Sequence, residues 1–98
     1  MKTISIAGLT FKGPYPITSN FLESAGVYVI STGDDWVDVG ETDSLSSRIT
    51  NHERKHCWSG YGNRNSLFLS FYPERNSKQR RFIESKVRQQ LNPVCGVK

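Results

Sequence analysis

Four side chains of this sequence carry the chemistry that handling a phosphate group requires: Tyr28, Arg48, His52 and Glu84. The guanidinium of Arg48 offers a rigid fork of donors that suits phosphate oxygens, and the imidazole of His52 can transfer protons near neutral pH. Arg48 and His52 are four residues apart, so on a helix they share one face. Taken singly, Tyr28 could be an ordinary strand aromatic, and the other two a solvated helix face. Together they predict one polar, phosphate-directed site.

Glu84 lies at the edge of an apolar stripe with helical spacing, formed by Ile83, Val87 and Leu91. A carboxylate at the edge of a buried face is unfavourable unless it has a partner. Arg80 and Arg88, one turn before and after Glu84, could be that partner through pairing along the helix.

The elements that must position these residues follow from the hydrophobic pattern. Residues 26–31 and 36–40 are rich in β-branched and aromatic residues and predict a hairpin that turns at Gly33-Asp34-Asp35. A helix capped by Thr42 or Asp43 should follow and fray near residues 55–58. Residues 67–72 predict a third strand. A last helix, capped by Asn76 or Ser77, should run to about Leu91 and end before Pro93.

The predicted fold class is therefore α+β, with a small three-stranded, mainly antiparallel sheet flanked by helices. The core of this single domain should span residues 25–96. Residues 1–24 look like a short lead-in, with a possible edge strand at residues 3–7, a turn at Gly13-Pro14-Tyr15-Pro16 and a helical turn within residues 18–24.

Composition limits the classes of function. Ninety-eight residues make one domain, and the longest apolar runs, Val27–Ile30 and Leu67–Leu69, are far too short to cross a bilayer. The net charge of +4 is compatible with a nucleic-acid partner, and the basic residues cluster in segments 48–55 and 75–88. Two cysteines are too few for a disulfide framework. We expect a cytoplasmic protein with reduced thiols, a disulfide being the less favoured alternative.

The segments Gly26-Val27-Tyr28 and Asp38-Val39-Gly40 resemble the two halves of the GIY-YIG nuclease signature. The intervals from Tyr28 to Asp38 and from Asp38 to Arg48 match those between the two tyrosines and the arginine of that family. His52 and Glu84 fall where the family has a Tyr or His and its metal-binding glutamate. The resemblance covers residues 25–96, and some segments are similar to those of small stand-alone members.

The resemblance implies a metal-dependent endonuclease that hydrolyses phosphodiester bonds of DNA. Glu84 would bind one divalent cation, Mg²⁺ or Mn²⁺. Arg48 would contact the phosphate and offset charge in the transition state. Tyr28 or His52 would help to remove a proton from the attacking water, and His52 is the better base on intrinsic pKa.

Three positions depart from the family pattern. Asp38 replaces the second tyrosine, Glu41 stands where Lys or Gln is frequent, and Gly96 replaces an asparagine near the chain end. Asp38 and Glu41 add negative charge to a site that must accept phosphate. They predict either a variant site in which they supply further oxygen ligands to the metal, or an inactivated site that only binds nucleic acid.

Aromatic and basic side chains mark the expected nucleic-acid contacts: Lys55, Trp58, Arg64, Arg80 and Arg81. Trp58, Tyr61 and Arg64 fall in a predicted loop, where an aromatic ring could stack on exposed bases. The alternative is that Trp58 packs beneath the loop. A zinc site made of His52, His56, Cys57 and Cys95 is disfavoured, since no paired ligand signature is present.

Overall fold

The computed structural model describes residues 2–52, 54–63 and 65–96. In this part of the chain an antiparallel sheet of five strands has the order β1-β2-β5-β3-β4. The strands are β1 Thr3–Ile6, β2 Leu9–Pro16, β3 Gly26–Ser31, β4 Trp36–Thr42 and β5 Phe68–Pro73, and the helices are α1 Leu45–Thr50, α2 Lys55–Ser59 and α3 Ser77–Leu91. The α+β class is confirmed, but the expectation of three strands is wrong.

The two additional strands come from the segment expected to be a lead-in. Ala7 and Gly8 both have positive φ, 53° and 80°, and they join β1 to β2 in a two-residue turn whose twist suits a hairpin. β2 then pairs with β5, with a shift of register between Lys12 and Tyr15. Gly13 and Pro14, expected to lie in a turn, instead lie within β2, at the point where the register shifts. Residues 17–25 contain one turn and two bends instead of the expected helical turn.

Helices cover both faces of the sheet. One hydrophobic cluster, under α1 and α2, includes Tyr28, Ile30, Leu45, Ile49 and Trp58. The other includes Val27, Val29, Val39, Ile83 and Val87, so it lies under α3. Alternate residues of β3 therefore enter different clusters, as strand geometry requires, and every residue of β3 is buried. No helix in the described residues is long and apolar enough to span a membrane.

The single helix expected to carry Arg48 and His52 is two short ones. α1 ends at Thr50, so His52 lies in the connection before α2. Ser44, not Thr42 or Asp43, is the N-cap of α1, and the Thr42 Oγ1 atom accepts a hydrogen bond from the Ser44 N–H at 3.0 Å. Asn76, one of the two residues predicted to cap α3, is its N-cap. Its side-chain oxygen accepts a hydrogen bond from the Gln79 N–H at 2.9 Å.

A disulfide joins Cys57 of α2 to Cys95, 38 residues further along the chain. The expectation of two reduced thiols is therefore wrong. Such bonds are rare in cytosolic proteins, so this feature argues against the cytoplasmic location that the cysteine count favoured. The bond fastens the C-terminal segment beside β4, where the Val94 and Cys95 N–H groups donate to the carbonyls of Trp36 and Val37 at 3.1 and 2.8 Å. These hydrogen bonds cover an edge strand of the sheet.

Candidate functional site

Tyr28 is held by the β3–β4 hairpin. It lies directly opposite Gly40 in the sheet, and its side chain is fully buried. A Cβ atom added to Gly40 would lie 2.2 Å from the Tyr28 hydroxyl oxygen, a distance that real side chains do not tolerate. Glycine at position 40 therefore makes the space that the tyrosine ring occupies.

His52 meets Tyr28 from the connection after α1. The Tyr28 hydroxyl and the Nε2 atom of His52 are joined by a short hydrogen bond, and the two rings meet edge to face, with centroids 5.7 Å apart. The Nδ1 atom of His52 accepts from the backbone N–H of Arg54 at 3.0 Å. Because Nδ1 is an acceptor, the proton of the neutral imidazole lies on Nε2. His52 therefore donates to the Tyr28 oxygen.

Arg48 is the third member of this group. It hydrogen-bonds the Tyr28 hydroxyl and acts on it as a positive charge. Burial nevertheless dominates and raises the pKa of Tyr28 to about 12, against the opposing effect of Arg48. The structure thus brings together three of the four residues predicted to form the site: Tyr28, Arg48 and His52.

The raised pKa of Tyr28 predicts a loss of stability at alkaline pH. Between pH 10 and about 12 the unfolded chain has released this proton while the folded chain keeps it, so the free energy of unfolding falls as pH rises. The loss should be on the order of 2–3 kcal/mol across that whole window. Urea denaturation at pH 9 and pH 11.5 measures it, with Tyr28→Phe as the comparison. An equally steep alkaline loss in Tyr28→Phe would exclude Tyr28 as the cause.

Asp38 is fully buried, and its carboxylate is saturated with donors. Oδ1 accepts from the backbone N–H of Val39 at 2.8 Å and from Arg88 at 2.9 Å. Oδ2 accepts from the Arg54 Nε atom and from the indole N–H of Trp58, both at 2.7 Å. The carboxylate thus joins β4, α2 and α3. The proposal that Asp38 supplies a metal ligand does not fit, because a cation would have to displace these donors.

Glu41 is also engaged by an arginine. Its Oε1 atom accepts from the Arg80 Nε atom at 2.8 Å, and Arg80 further donates to the carbonyl of Arg75 at 2.7 Å. Arg80 is buried, so it ties the start of α3 to β4 instead of facing a nucleic acid. The charge that Glu41 adds to the site is offset by this partner.

Glu84 lies half-buried on α3, on the face of the sheet opposite α1. Burial raises its pKa, Arg88 opposes that rise, and the carboxylates of Glu41 and Asp38 add to it. Arg80 forms its ion pair with Glu41, and Arg88 forms its ion pair with Asp38. Neither arginine therefore has Glu84 as its main partner, although pairing along the helix was expected. Asp38 and Arg54 act electrostatically on both Tyr28 and Glu84. The charged groups around Asp38 therefore connect the two parts of the predicted site.

A metal ion at this site would be bound by the Glu84 carboxylate together with ligands that the protein does not supply, such as water and substrate phosphate. Across residues 2–52, 54–63 and 65–96, no three His, Cys, Asp or Glu side chains form a group that could hold a metal ion. Mg²⁺ is commonly bound by one or two carboxylates together with water and substrate phosphates. A half-buried carboxylate whose proton affinity is raised by burial and by neighbouring carboxylates fits that mode of binding.

Of the residues expected to contact nucleic acid, some are exposed and others are buried. Lys55 and Arg81 are exposed, although the Lys55 Nζ atom donates to the Thr50 carbonyl at 2.8 Å. Trp58 lies within α2 and is only 1% exposed, so it is not open to stacking on a base and the packed alternative is confirmed. Arg64 lies outside the described residues.

Sequence reasoning missed the importance of Arg54 and Arg88. The signal that could have found them is Asp38 itself, because a carboxylate at an inward-facing position of a strand requires several donors. Gly40 was recognised only as part of a motif, and its contact with Tyr28 gives the physical reason for it.

A separate cleft of about 780 Å³ lies beside α1 and α2. It is bounded by residues 17–21, by parts of α1 and α2 and by Gly62, Asn63 and Leu67, and its lining includes none of Tyr28, Arg48, His52 and Glu84.

Comparison of the chain with protein-family models, with curated proteins and with solved structures found no match. Functional inference therefore rests on the arrangement of its own residues and on the sequence resemblance described above.

Proposed function

We propose that this chain is a divergent member of the GIY-YIG nuclease superfamily and a divalent-cation-dependent endonuclease acting on DNA. The observation that carries the proposal is the contact of Tyr28 with both His52 and Arg48. A tyrosine, a histidine and an arginine converge there on an otherwise apolar face of the sheet. Burying these polar side chains has a desolvation cost that their mutual hydrogen bonds offset, and their chemical types are those that phosphodiester hydrolysis needs.

In this proposal Arg48 binds the scissile phosphate and offsets the charge that develops during reaction. His52 donates from Nε2 to the Tyr28 oxygen, so its lone pair is not directed at substrate. Burial raises the pKa of Tyr28 to about 12, so Tyr28 acts as a base only after its own proton has been lost to solvent. His52 and Arg48 then stabilise the phenolate, which takes a proton from the attacking water. Glu84, which the charges of Asp38 and Arg54 link to Tyr28, would hold Mg²⁺ or Mn²⁺, whose chemistry there would be stabilisation of the leaving oxygen.

The second candidate function is DNA binding without cleavage. It is favoured by the burial of Tyr28 and His52, which are 0% and 4% exposed. A substrate phosphate could then meet Arg48 and the exposed basic residues without reaching Tyr28. The two candidates share an interface and differ in whether the bond is cut.

Replacement of Glu84 by Gln tests the first candidate. We expect cleavage of single-stranded, duplex or branched DNA in Mg²⁺ or Mn²⁺ to fall at least about 100-fold, because a cation contributes several kcal/mol to such a transition state. The matched control is Asp43→Asn, which removes an exposed carboxylate and should leave the rate unchanged. Equal cleavage by Glu84→Gln and the unaltered chain would mean a contaminating nuclease.

Binding at low salt separates the remaining outcomes, since phosphate contacts are strongest there. Retained binding with no cleavage by the unaltered chain would favour the second candidate. Absence of binding to all three forms of DNA would contradict both.

A further inference from the structure

We propose that Asp38 is a positioning residue that sets the protonation geometry of His52, in place of the second tyrosine that the resemblance predicts. Oδ2 of Asp38 holds the Arg54 side chain. The backbone N–H of Arg54 in turn holds the Nδ1 atom of His52. His52 then presents its Nε2 proton to Tyr28. A chain of three contacts thus runs from the buried carboxylate to the tyrosine oxygen.

Trp58 is a second link between Asp38 and His52. Its indole N–H donates to the same Oδ2 atom at 2.7 Å, and its ring lies 4.5 Å from the imidazole, centroid to centroid. Asp38 therefore fixes the residue whose backbone N–H donates to His52, and it also fixes the Trp58 ring on which His52 packs. Loss of the carboxylate would release both constraints.

Gly96 belongs to the same unit. A Cβ atom at this position would lie 2.2 Å from one Arg88 guanidinium nitrogen, and the φ angle of 110° is one that glycine adopts readily. Arg88 uses this space to reach Oδ1 of Asp38 and the carbonyls of Val39 and Cys95. An asparagine at position 96 would displace it. Two departures from the family pattern, at 38 and 96, are thus explained by the one guanidinium between them.

The geometry of His52 can be tested without substrate. Long-range proton–nitrogen NMR correlations report which ring nitrogen of a histidine carries the proton, and exposed His56 is an internal reference in the same molecule. In the unaltered chain we expect His52 as the single Nε2–H tautomer. In Asp38→Asn the His52 nitrogen shifts should move towards those of His56. Asp43→Asn, which removes an exposed carboxylate, should leave them unchanged.

Arg54→Ala supplies a second test, because it removes one of four donors to Asp38 and leaves the carboxylate in place. It should produce the same change at His52 in a chain whose circular dichroism is unaltered. A folded Asp38→Asn or Arg54→Ala variant that keeps the Nε2–H tautomer would overturn the proposal. If Asp38→Asn does not fold, Arg54→Ala alone decides it.

The consequence for hydrolysis rests on the proposed function. Asp38→Asn should lower kcat about 10- to 100-fold, by analogy with the loss of groups that orient metal-bound histidines, with KM for DNA little changed. A changed His52 tautomer with no cleavage by any variant, including the unaltered chain, would support the positioning role and contradict the nuclease. Unchanged His52 signals in an active enzyme would do the reverse.

Discussion

A Cys57→Ala/Cys95→Ala variant is expected to lose about 4 kcal/mol of unfolding free energy relative to the oxidised chain. The disulfide closes a segment of 38 residues, and such a cross-link restricts the unfolded chain far more than the folded one. The total free energy of unfolding of natural proteins is about 5–15 kcal/mol. The loss would therefore remove a large fraction of the stability of this domain.

Urea denaturation of four samples measures this effect: the unaltered chain and the variant, each with and without a dithiol reductant. Reductant should shift the midpoint of the unaltered chain and leave that of the variant unchanged, which controls for other actions of the reductant. Mass spectrometry of the unreduced chain establishes that the bond is present. Coincident midpoints for the oxidised chain and the variant would show that the bond contributes nothing.

The disulfide has a second significance, because its two ends touch the surroundings of Asp38. Cys57 directly precedes Trp58, and the Cys95 carbonyl accepts from Arg88 at 3.2 Å. Each end of the disulfide is therefore next to a donor to Asp38: Trp58 adjoins Cys57 in sequence, and Arg88 is hydrogen-bonded to Cys95. Its stabilisation therefore acts where the hydrogen-bonded unit holds the sheet to α2 and α3.

Local patterns predicted the elements that local physics governs. β3 was predicted at residues 26–31, where it lies, because its apolar, β-branched sequence suits a strand covered on both faces. α3 follows from its apolar stripe and from the cap at Asn76. The intervals between Tyr28, Arg48 and His52 led to three residues that do lie together.

The features that were missed depend on distant parts of the chain. β2 joins the sheet through β5, more than 50 residues away, and its Gly-Pro segment taken alone favours a turn. Arg88 pairs with Asp38 and not with Glu84 because β4 passes close to α3. The spacing of residues along the helix does not reveal where that strand lies. The same holds for Cys57 and Cys95, since their separation in sequence says nothing of their distance in space.

Replacement of Asp38 by Ala should destabilise the fold by about 3–5 kcal/mol, the usual effect of removing one partner from a buried ion pair. Arg54 and Arg88 would face each other without the carboxylate, their side chains only 20% and 22% exposed. The Trp58 indole N–H would lose its acceptor as well. Asp43→Ala, at an exposed position, is the control and should change stability by less than about 0.5 kcal/mol.

A double-mutant cycle distinguishes this explanation from a simple loss of packing. If the effect of Asp38→Ala comes from uncompensated positive charge, adding Arg54→Ala should cause little further loss, and the two changes should couple by about 0.5–3 kcal/mol. Strictly additive losses would mean that Asp38 and Arg54 act independently. In that case the contribution of the carboxylate would come from its other donors, which are Arg88, the Trp58 indole N–H and the Val39 N–H.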